Sequence, residues 1–388
     1  MISNHRLQKI NSVYCTAPFN GLTIREDGHV RTCCNGSVSL GNLNHTSIEE
    51  IQGSPILNQI RESMLNNNFH DNCKMCVELE QSSGLSQLRE HYLKFYPNYN
   101  GFQLKNIDVR WNNKCNLNCM YCIPKFSSTW AEKLNKQNSS PIKNYQDDLL
   151  NFVLQHVDEI DEITLVGGEP MLMKQNYALI AALPNSVRIS IITNLSYDLE
   201  RLPCISNLLA RPRENTVWNI SCENIDQQFE YVRNGASWAQ LETNLKFLNQ
   251  HWPDMVVINI VYSMFSAFDL VDTVQRFHQL GIKKFNFQSY FGHAAVDVFK
   301  MPSAVQASAE KIIDEVIKIH YENIHPEDRD LYPLANLDLI KTKLTQTQEH
   351  SCSKKAFYDR IAWYDKWSDS KFKDLWPHVV DLVELHVE

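Results

Sequence analysis

The chain has no run of apolar residues approaching the roughly 20 needed to span a bilayer. Its opening stretch, Met1 to Gln8, is polar and lacks the apolar segment of a secretory signal. It has no excess of positive charge: 37 Lys and Arg stand against 45 Asp and Glu, a formal net charge of −8. That balance argues against a generally basic nucleic-acid binder and leaves only a local basic groove open. These absences predict a cytoplasmic chain without a membrane anchor. At 388 residues it can bury a sizeable core and hold more than one domain.

Cysteine, in contrast, is plentiful, with 11 residues. A disulfide scaffold suits short secreted chains, not one of this kind. Eight of the cysteines fall in clusters: Cys15, Cys33, Cys34, Cys73 and Cys76, then Cys115, Cys119 and Cys122. Cys204, Cys222 and Cys352 are scattered and read as small buried hydrophobes.

The second cluster sits in Val109-Arg-Trp-Asn-Asn-Lys-Cys115-Asn-Leu-Asn-Cys119-Met-Tyr-Cys122. The alternating Ile107, Val109 and Trp111 before it predict a strand. Three thiolates at C-x3-C-x2-C can hold three corners of a [4Fe–4S] cluster. The fourth iron is then open to a small molecule, as a catalytic zinc keeps one position free.

The first cluster spans residues 12 to 95. Leu22 and Ile24, then His29-Val30-Arg31, predict a hairpin around the Asp27-Gly28 turn. Ser47 and Glu50 form a capping box that starts a helix. A further helix is expected from Leu85 to Phe95, and a turn-rich linker over residues 96–101. Cys15, Cys33 or Cys34, Cys73 and Cys76 offer four thiolates. By chemistry alone these suit a fully ligated [4Fe–4S] cluster or a four-cysteine zinc site.

From Lys105 the pattern alternates strand and helix. Strands are predicted at Asn106–Trp111, Glu162–Val166, Arg188–Thr193, Val217–Ser221, Val256–Tyr262 and Lys284–Gln288. Helices are predicted at Asp147–Val157, Gln175–Ala182, Ser237–Gln250 and Asp269–Leu280, the last stopped by Gly281. This is the pattern of an α/β fold with a parallel sheet curled into a partial (β/α)6 TIM-like barrel. It is preceded by a small β-hairpin/helix module and followed by a C-terminal helical extension: Val305–His320, Lys354–Trp367 and Phe372–Leu385. The domain boundaries are accordingly 1–104, 105–300 and 301–388. In such folds the chemistry gathers at the C-terminal strand ends. The three-cysteine loop leaves the first strand there, and Gly167-Gly168-Glu169-Pro170 leaves the second.

The C-x3-C-x2-C loop, the strand before it and the later Gly-Gly-Glu-Pro resemble the radical S-adenosylmethionine (SAM) enzymes. The order C-x12-G-x4-C, a gap and C-x2-C, with Leu40-Gly-Asn-Leu43 and the helix after it, resembles the auxiliary-cluster modules called SPASM and twitch. Here that module precedes the barrel, whereas in relatives it usually follows it. The resemblance implies Cys115, Cys119 and Cys122 as ligands of a SAM-binding [4Fe–4S] cluster. It implies Cys15, Cys33, Cys73 and Cys76 as ligands of a second, auxiliary [4Fe–4S] cluster. SAM itself is the third cofactor, with contacts implied at Tyr121, Gly167, Gly168, Glu169, Pro170, Asn194, Ser221 and Arg233. Relatives often carry Asn-Gly where this chain has Asn194-Leu195.

Cys222, Glu223 and Tyr290 are candidate catalytic residues at strand ends, Cys222 as a hydrogen-atom donor; Gln288 and His293 lie close by in sequence. The expected activity is reductive cleavage of SAM to a 5′-deoxyadenosyl radical that abstracts hydrogen from an unactivated carbon. The expected substrate is a peptide or protein side chain, with a nucleoside, nucleotide, nucleic-acid base or sugar as the competitor. The expected partner is a reductant such as flavodoxin or ferredoxin. The competing class is a non-catalytic electron carrier, which would want every iron ligated by protein.

Overall fold

The computed structural model describes residues 13–83, 86–97, 101–136, 145–290, 292–346 and 352–387. Met1 to Gln8, Leu85 and residues 98–100 of the expected linker lie outside these. The chain forms two compact units. One comprises Met1–Cys115, Pro124–Ile191 and Ser206–Thr216; the other comprises Asn116–Ile123, Ile192–Ile205 and Val217–Glu388.

In the first unit the hairpin forms as predicted. Strand β1 (Gly21–Ile24) pairs antiparallel with β2 (His29–Arg31), and β2 with β3 (Gly41–Asn42). Gly28 supplies the positive φ of the turn, 83°. The Ser47–Glu50 capping box is present at the start of helix Ile48–Gln52. β1 then does something the pattern did not suggest. It pairs in parallel with β4 (Asn106–Val109), Leu22 opposite Ile107 and Ile24 opposite Val109. β4 pairs in parallel with β5 (Glu162–Leu165), and β5 with β6 (Arg188–Thr193). The cysteine-rich segment and the start of the β/α repeat thus share one sheet. β1 and β4 are buried throughout, as strands covered on both faces must be.

The second unit continues the alternation with β7 (Thr216–Ser221), β8 (Val256–Tyr262) and β9 (Lys284–Ser289), parallel throughout. The six strands expected of a partial barrel, β4 to β9, are all formed, each within two residues of its predicted ends. The fold class is α/β with a helical C-terminal region. A two-residue strand, β10 (Leu334–Ala335), adds to β9 and was not anticipated. The helix Trp238–His251 buries Trp238, Leu241, Leu245 and Leu248, the face its periodicity marked.

One expected helix is two. Phe372–Leu385 breaks into Phe372–Leu375 and Pro377–His386. Pro377 pushes Trp376 out of the helical region, to φ −130° and ψ 57°. The helices of this region pack on the segments that follow β7 and β8. Tyr231 meets Trp376 edge-on at 5.3 Å and bonds Asp365 Oδ1 at 2.9 Å. Phe265 meets Tyr364 at 5.3 Å. These rings are fully buried, so the extension closes hydrophobic surface of its own unit.

Arg211, 5 % exposed, braces the first unit. Its guanidinium donates to the carbonyls of Leu183 at 3.0 Å and Pro184 at 2.9 Å, and to that of Val187. Arg211→Ala strands these carbonyls. It is expected to cost about 3 kcal/mol in denaturant unfolding, whereas Arg201→Ala, on an exposed side chain, should cost well under about 1.

Candidate functional site

The loop after β4 carries Cys115 in the first unit. Its peptide N–H donates to Ser128 Oγ at 3.1 Å, and its carbonyl accepts from Thr129 Oγ1 at 2.6 Å. The turn after β5 packs onto the same loop. Gly167 has φ +138°, and a Cβ on Gly168 would sit 2.2 Å from the Lys114 carbonyl oxygen. Glu169 N–H donates to that carbonyl at 2.8 Å. Only glycine permits this approach. The two motifs therefore meet at the ends of neighbouring parallel strands.

Glu169 is fully buried, and its Oε1 accepts the Met171 N–H at 3.0 Å, capping the turn that starts at Pro170. Asn176 ties this turn to the first strand: it donates to the Pro170 carbonyl at 2.8 Å and accepts from Trp111 Nε1 at 2.6 Å. Nothing in the sequence pattern marked Asn176.

In the second unit the segment Asn116–Ile123 is stitched to the chain after β7. Asn118 N–H donates to the Asn234 carbonyl at 3.1 Å and Met120 N–H to that of Val232 at 2.9 Å. Asn194 donates to Asn116 Oδ1 at 3.1 Å. Glu223 and Arg233 form a buried two-pronged pair at 2.8 and 2.6 Å. Tyr121 O–H donates to Glu223 Oε1 at 2.8 Å, and its ring lies 5.0 Å from the guanidinium. Arg233 Nη1 donates to Cys119 Sγ at 3.8 Å. Four sequence-predicted residues thus share one network. Burial alone would lower the Arg233 pKa, but Glu223, Tyr121 and Cys119 outweigh it and hold it well above the usual value.

Other candidates are engaged elsewhere. The fully buried Cys222 thiol donates to the Asn224 carbonyl at 3.1 Å within its own turn, and burial pushes its pKa well up. Tyr290 accepts the His293 N–H at 2.8 Å. Ser221, half-buried, ends β7 opposite Asn259.

The N-terminal cysteines converge. Cys15, Cys33, Cys73 and Cys76 line one cavity of the first unit, with Val13, Pro18, Val77 and Leu88 among its apolar walls. Cys34 is exposed and outside that lining. Each of the four sulfurs accepts a hydrogen bond: from Ala17 N–H at 3.5 Å, Thr32 Oγ1 at 3.8 Å, Asn72 Nδ2 at 3.9 Å and Asn35 Nδ2 at 3.4 Å, in order. Burial raises Cys15 to about 12 and Cys73 to about 11. Among the described residues no group of three or more His, Cys, Asp or Glu is gathered tightly enough for a single metal ion. Four thiols around one cavity, each with its own donor, are a donor set that a cubane cluster can use.

Four thiols around one cavity beside a parallel sheet are a donor set that an iron–sulfur cluster can use. Comparison with known proteins carries this further. Residues 109–263 match the radical SAM superfamily, and residues 15–77 match the SPASM iron–sulfur cluster-binding domain. Residues 109–263 thus carry a radical SAM domain and residues 15–77 a SPASM-type module. The cofactors are [4Fe–4S] clusters and SAM. A GTP 3′,8-cyclase of Campylobacter lari is 29% identical over 147 residues, 34% of this chain and 42% of that one. The chain thus spans under half the length of that relative. Among solved structures, anSMEcpe with bound AdoMet is 16% identical, covering 56% of this chain and 60% of its own, with a TM-score of 0.40. Streptococcus suis SuiB bound to S-adenosylmethionine is also 16% identical, covering 71% and 61%, with a TM-score of 0.42.

The Glu223–Arg233 pair makes a direct prediction. Glu223→Ala leaves a buried guanidinium uncompensated and should cost about 3 to 5 kcal/mol in chemical unfolding. Replacing both residues, Glu223→Leu with Arg233→Met, should return most of that loss.

Proposed function

We propose that this chain reductively cleaves SAM and uses the 5′-deoxyadenosyl radical to abstract hydrogen from an unactivated carbon of a peptide or protein side chain. When bound and reduced, the cluster and SAM supply that radical, with methionine as the co-product. Residues 1–104 serve as the auxiliary-cluster module, 105–300 as the catalytic domain and 301–388 as its helical extension.

The observation that carries this reading is the packing of Gly167-Gly168-Glu169 onto the carbonyl next to Cys115. Cys115, Cys119 and Cys122 are proposed to hold the first cluster, their C-x3-C-x2-C spacing leaving one iron without a protein ligand. Gly167 and Gly168 bring backbone close to SAM. Glu169 and Pro170 shape the turn that presents them. Arg233 donates toward Cys119, and Glu223 and Tyr121 hold that guanidinium in place. Asn194 and Ser221 are proposed as further SAM contacts. Cys222 and Tyr290 remain candidates for hydrogen return to the substrate. Cys15, Cys33, Cys73 and Cys76 are proposed to ligate the auxiliary cluster completely, which suits electron transfer rather than substrate ligation. An electron donor of the flavodoxin or ferredoxin kind is the expected partner. No helix among the described residues is long and apolar enough to cross a membrane. The likeness to a GTP 3′,8-cyclase supports a second reading, the same chemistry on a nucleotide.

Anaerobic reconstitution tests both sets of ligands. The intact chain should take up about eight irons and release 5′-deoxyadenosine from SAM with dithionite. Cys119→Ser should abolish that product and retain about four irons. Cys33→Ser should lose the auxiliary cluster and Cys34→Ser should keep it, read by iron content and electron paramagnetic resonance. Both clusters assembled with no 5′-deoxyadenosine would sink the reading in favour of an electron carrier.

A further inference from the structure

A second cavity in the first unit opens at the C-terminal ends of three adjacent parallel strands. β1, β4 and β5 are in register at Ile24, Val109 and Leu165. The chain just past those ends contributes Arg25 and Glu26, Arg110 and Asn113, and Gly167 and Gly168, with Phe126 beside them. The volume is about 220 Å³. That is room for one ring or one side-chain amide, and too little for a whole dinucleotide-sized cofactor. Strand ends of a parallel sheet are where ligands sit in this class of fold.

The polar groups here are charge-balanced but not hydrogen-bonded. Glu26 is 2 % exposed. Arg25 Nε stands 3.5 Å from one of its oxygens and Lys125 Nζ 3.7 Å from the other. Neither carboxylate oxygen accepts a hydrogen bond. Arg25 Nε and Arg110 Nη1 are likewise buried without an acceptor, although Arg110 has Asp108 at 3.4 Å. Buried polar atoms are paired as a rule, and open ones at a strand-end cavity are a place for a ligand. Arg25 is also stacked at 5.7 Å from the Phe126 ring, so a planar surface flanks the open atoms.

We propose that this cavity is a substrate subsite that takes a neutral amide-type edge, N–H donors beside a carbonyl. The donors would go to Glu26, and the carbonyl to Arg25 or Arg110. A lone ammonium is disfavoured by the two guanidiniums, and a lone anion leaves both Glu26 oxygens open. The edge has two sources, the lactam face of a nucleobase and the primary carboxamide of a side chain. Placing the cavity on the substrate side rests on the function proposed above, because Gly167 and Gly168 form one wall.

The test uses the full chain, reconstituted anaerobically and saturated with SAM, titrated calorimetrically with guanosine and with N-acetylglutamine amide. One of the two should bind below about 10 mM, and Glu26→Gln should weaken it roughly tenfold or more. The same variant should melt no lower than wild type, since a buried carboxylate without hydrogen bonds adds little to folding. Guanosine binding marks the nucleobase source, and amide binding the side-chain source. Four results overturn the assignment: neither probe binds, SAM displaces the probe, Glu26→Gln binds equally well, or the variant loses binding only together with its fold. Wild-type 5′-deoxyadenosine formation is scored separately. Its absence defeats the functional reading and this assignment with it. Its presence without probe binding defeats this assignment alone.

Discussion

A thiol must lose its proton to hold iron, and burial opposes that loss. This tension governs both cysteine clusters. Desolvation pushes Cys15 up to about 12, and Cys33 and Cys119 upward as well. Sulfurs so placed become thiolates only if other charges and dipoles compensate. The chain supplies the compensation in two places. Around the N-terminal cavity it comes from two asparagine amides, a threonine hydroxyl and a backbone N–H, one to each sulfur, and from the Arg89 guanidinium, which lowers Cys15 and Cys73. At Cys119 it is a full positive charge on Arg233.

These donors explain why much of the local sequence is asparagine. Asn35, Asn72, Asn116, Asn118, Asn176, Asn194 and Asn234 all place side-chain amides or carbonyls in the hydrogen bonds around the two clusters and the Gly-Gly-Glu-Pro turn. An amide both donates and accepts, so it can satisfy a sulfur or a backbone carbonyl without adding charge. Carboxylates in those places would compete with thiolates for the same compensation.

Legibility in the sequence followed the range of the interaction. The cysteine spacing, the Asp27-Gly28 turn and the Ser47–Glu50 capping box are local, and the chain writes them plainly. The six strands were legible as short apolar-rich runs such as Val256–Tyr262 or alternating ones such as Arg188–Thr193. The parallel pairing of β1 with β4 was not, because it joins residues more than eighty positions apart and leaves no periodicity behind. Glu223 was visible as a polar residue at a strand end and Arg233 through the family resemblance, yet their pairing across the intervening helix was hidden. Pro377 was visible in the sequence, and the continuous helix drawn through it gave too little weight to the missing N–H.

The Arg233 pairing also constrains what this arginine can do next. A guanidinium has five N–H bonds in a fixed fork. Nε and one N–H of Nη2 go to Glu223, and one N–H of Nη1 goes to Cys119. What remains is one N–H on each terminal nitrogen. Holding Arg233 between an anion and a thiol therefore does not use the residue up. It fixes the plane of the fork before any ligand arrives, so that the ordering cost is met by folding rather than by binding. Lysine could not do the same, since its point charge offers no second edge once one partner has been taken.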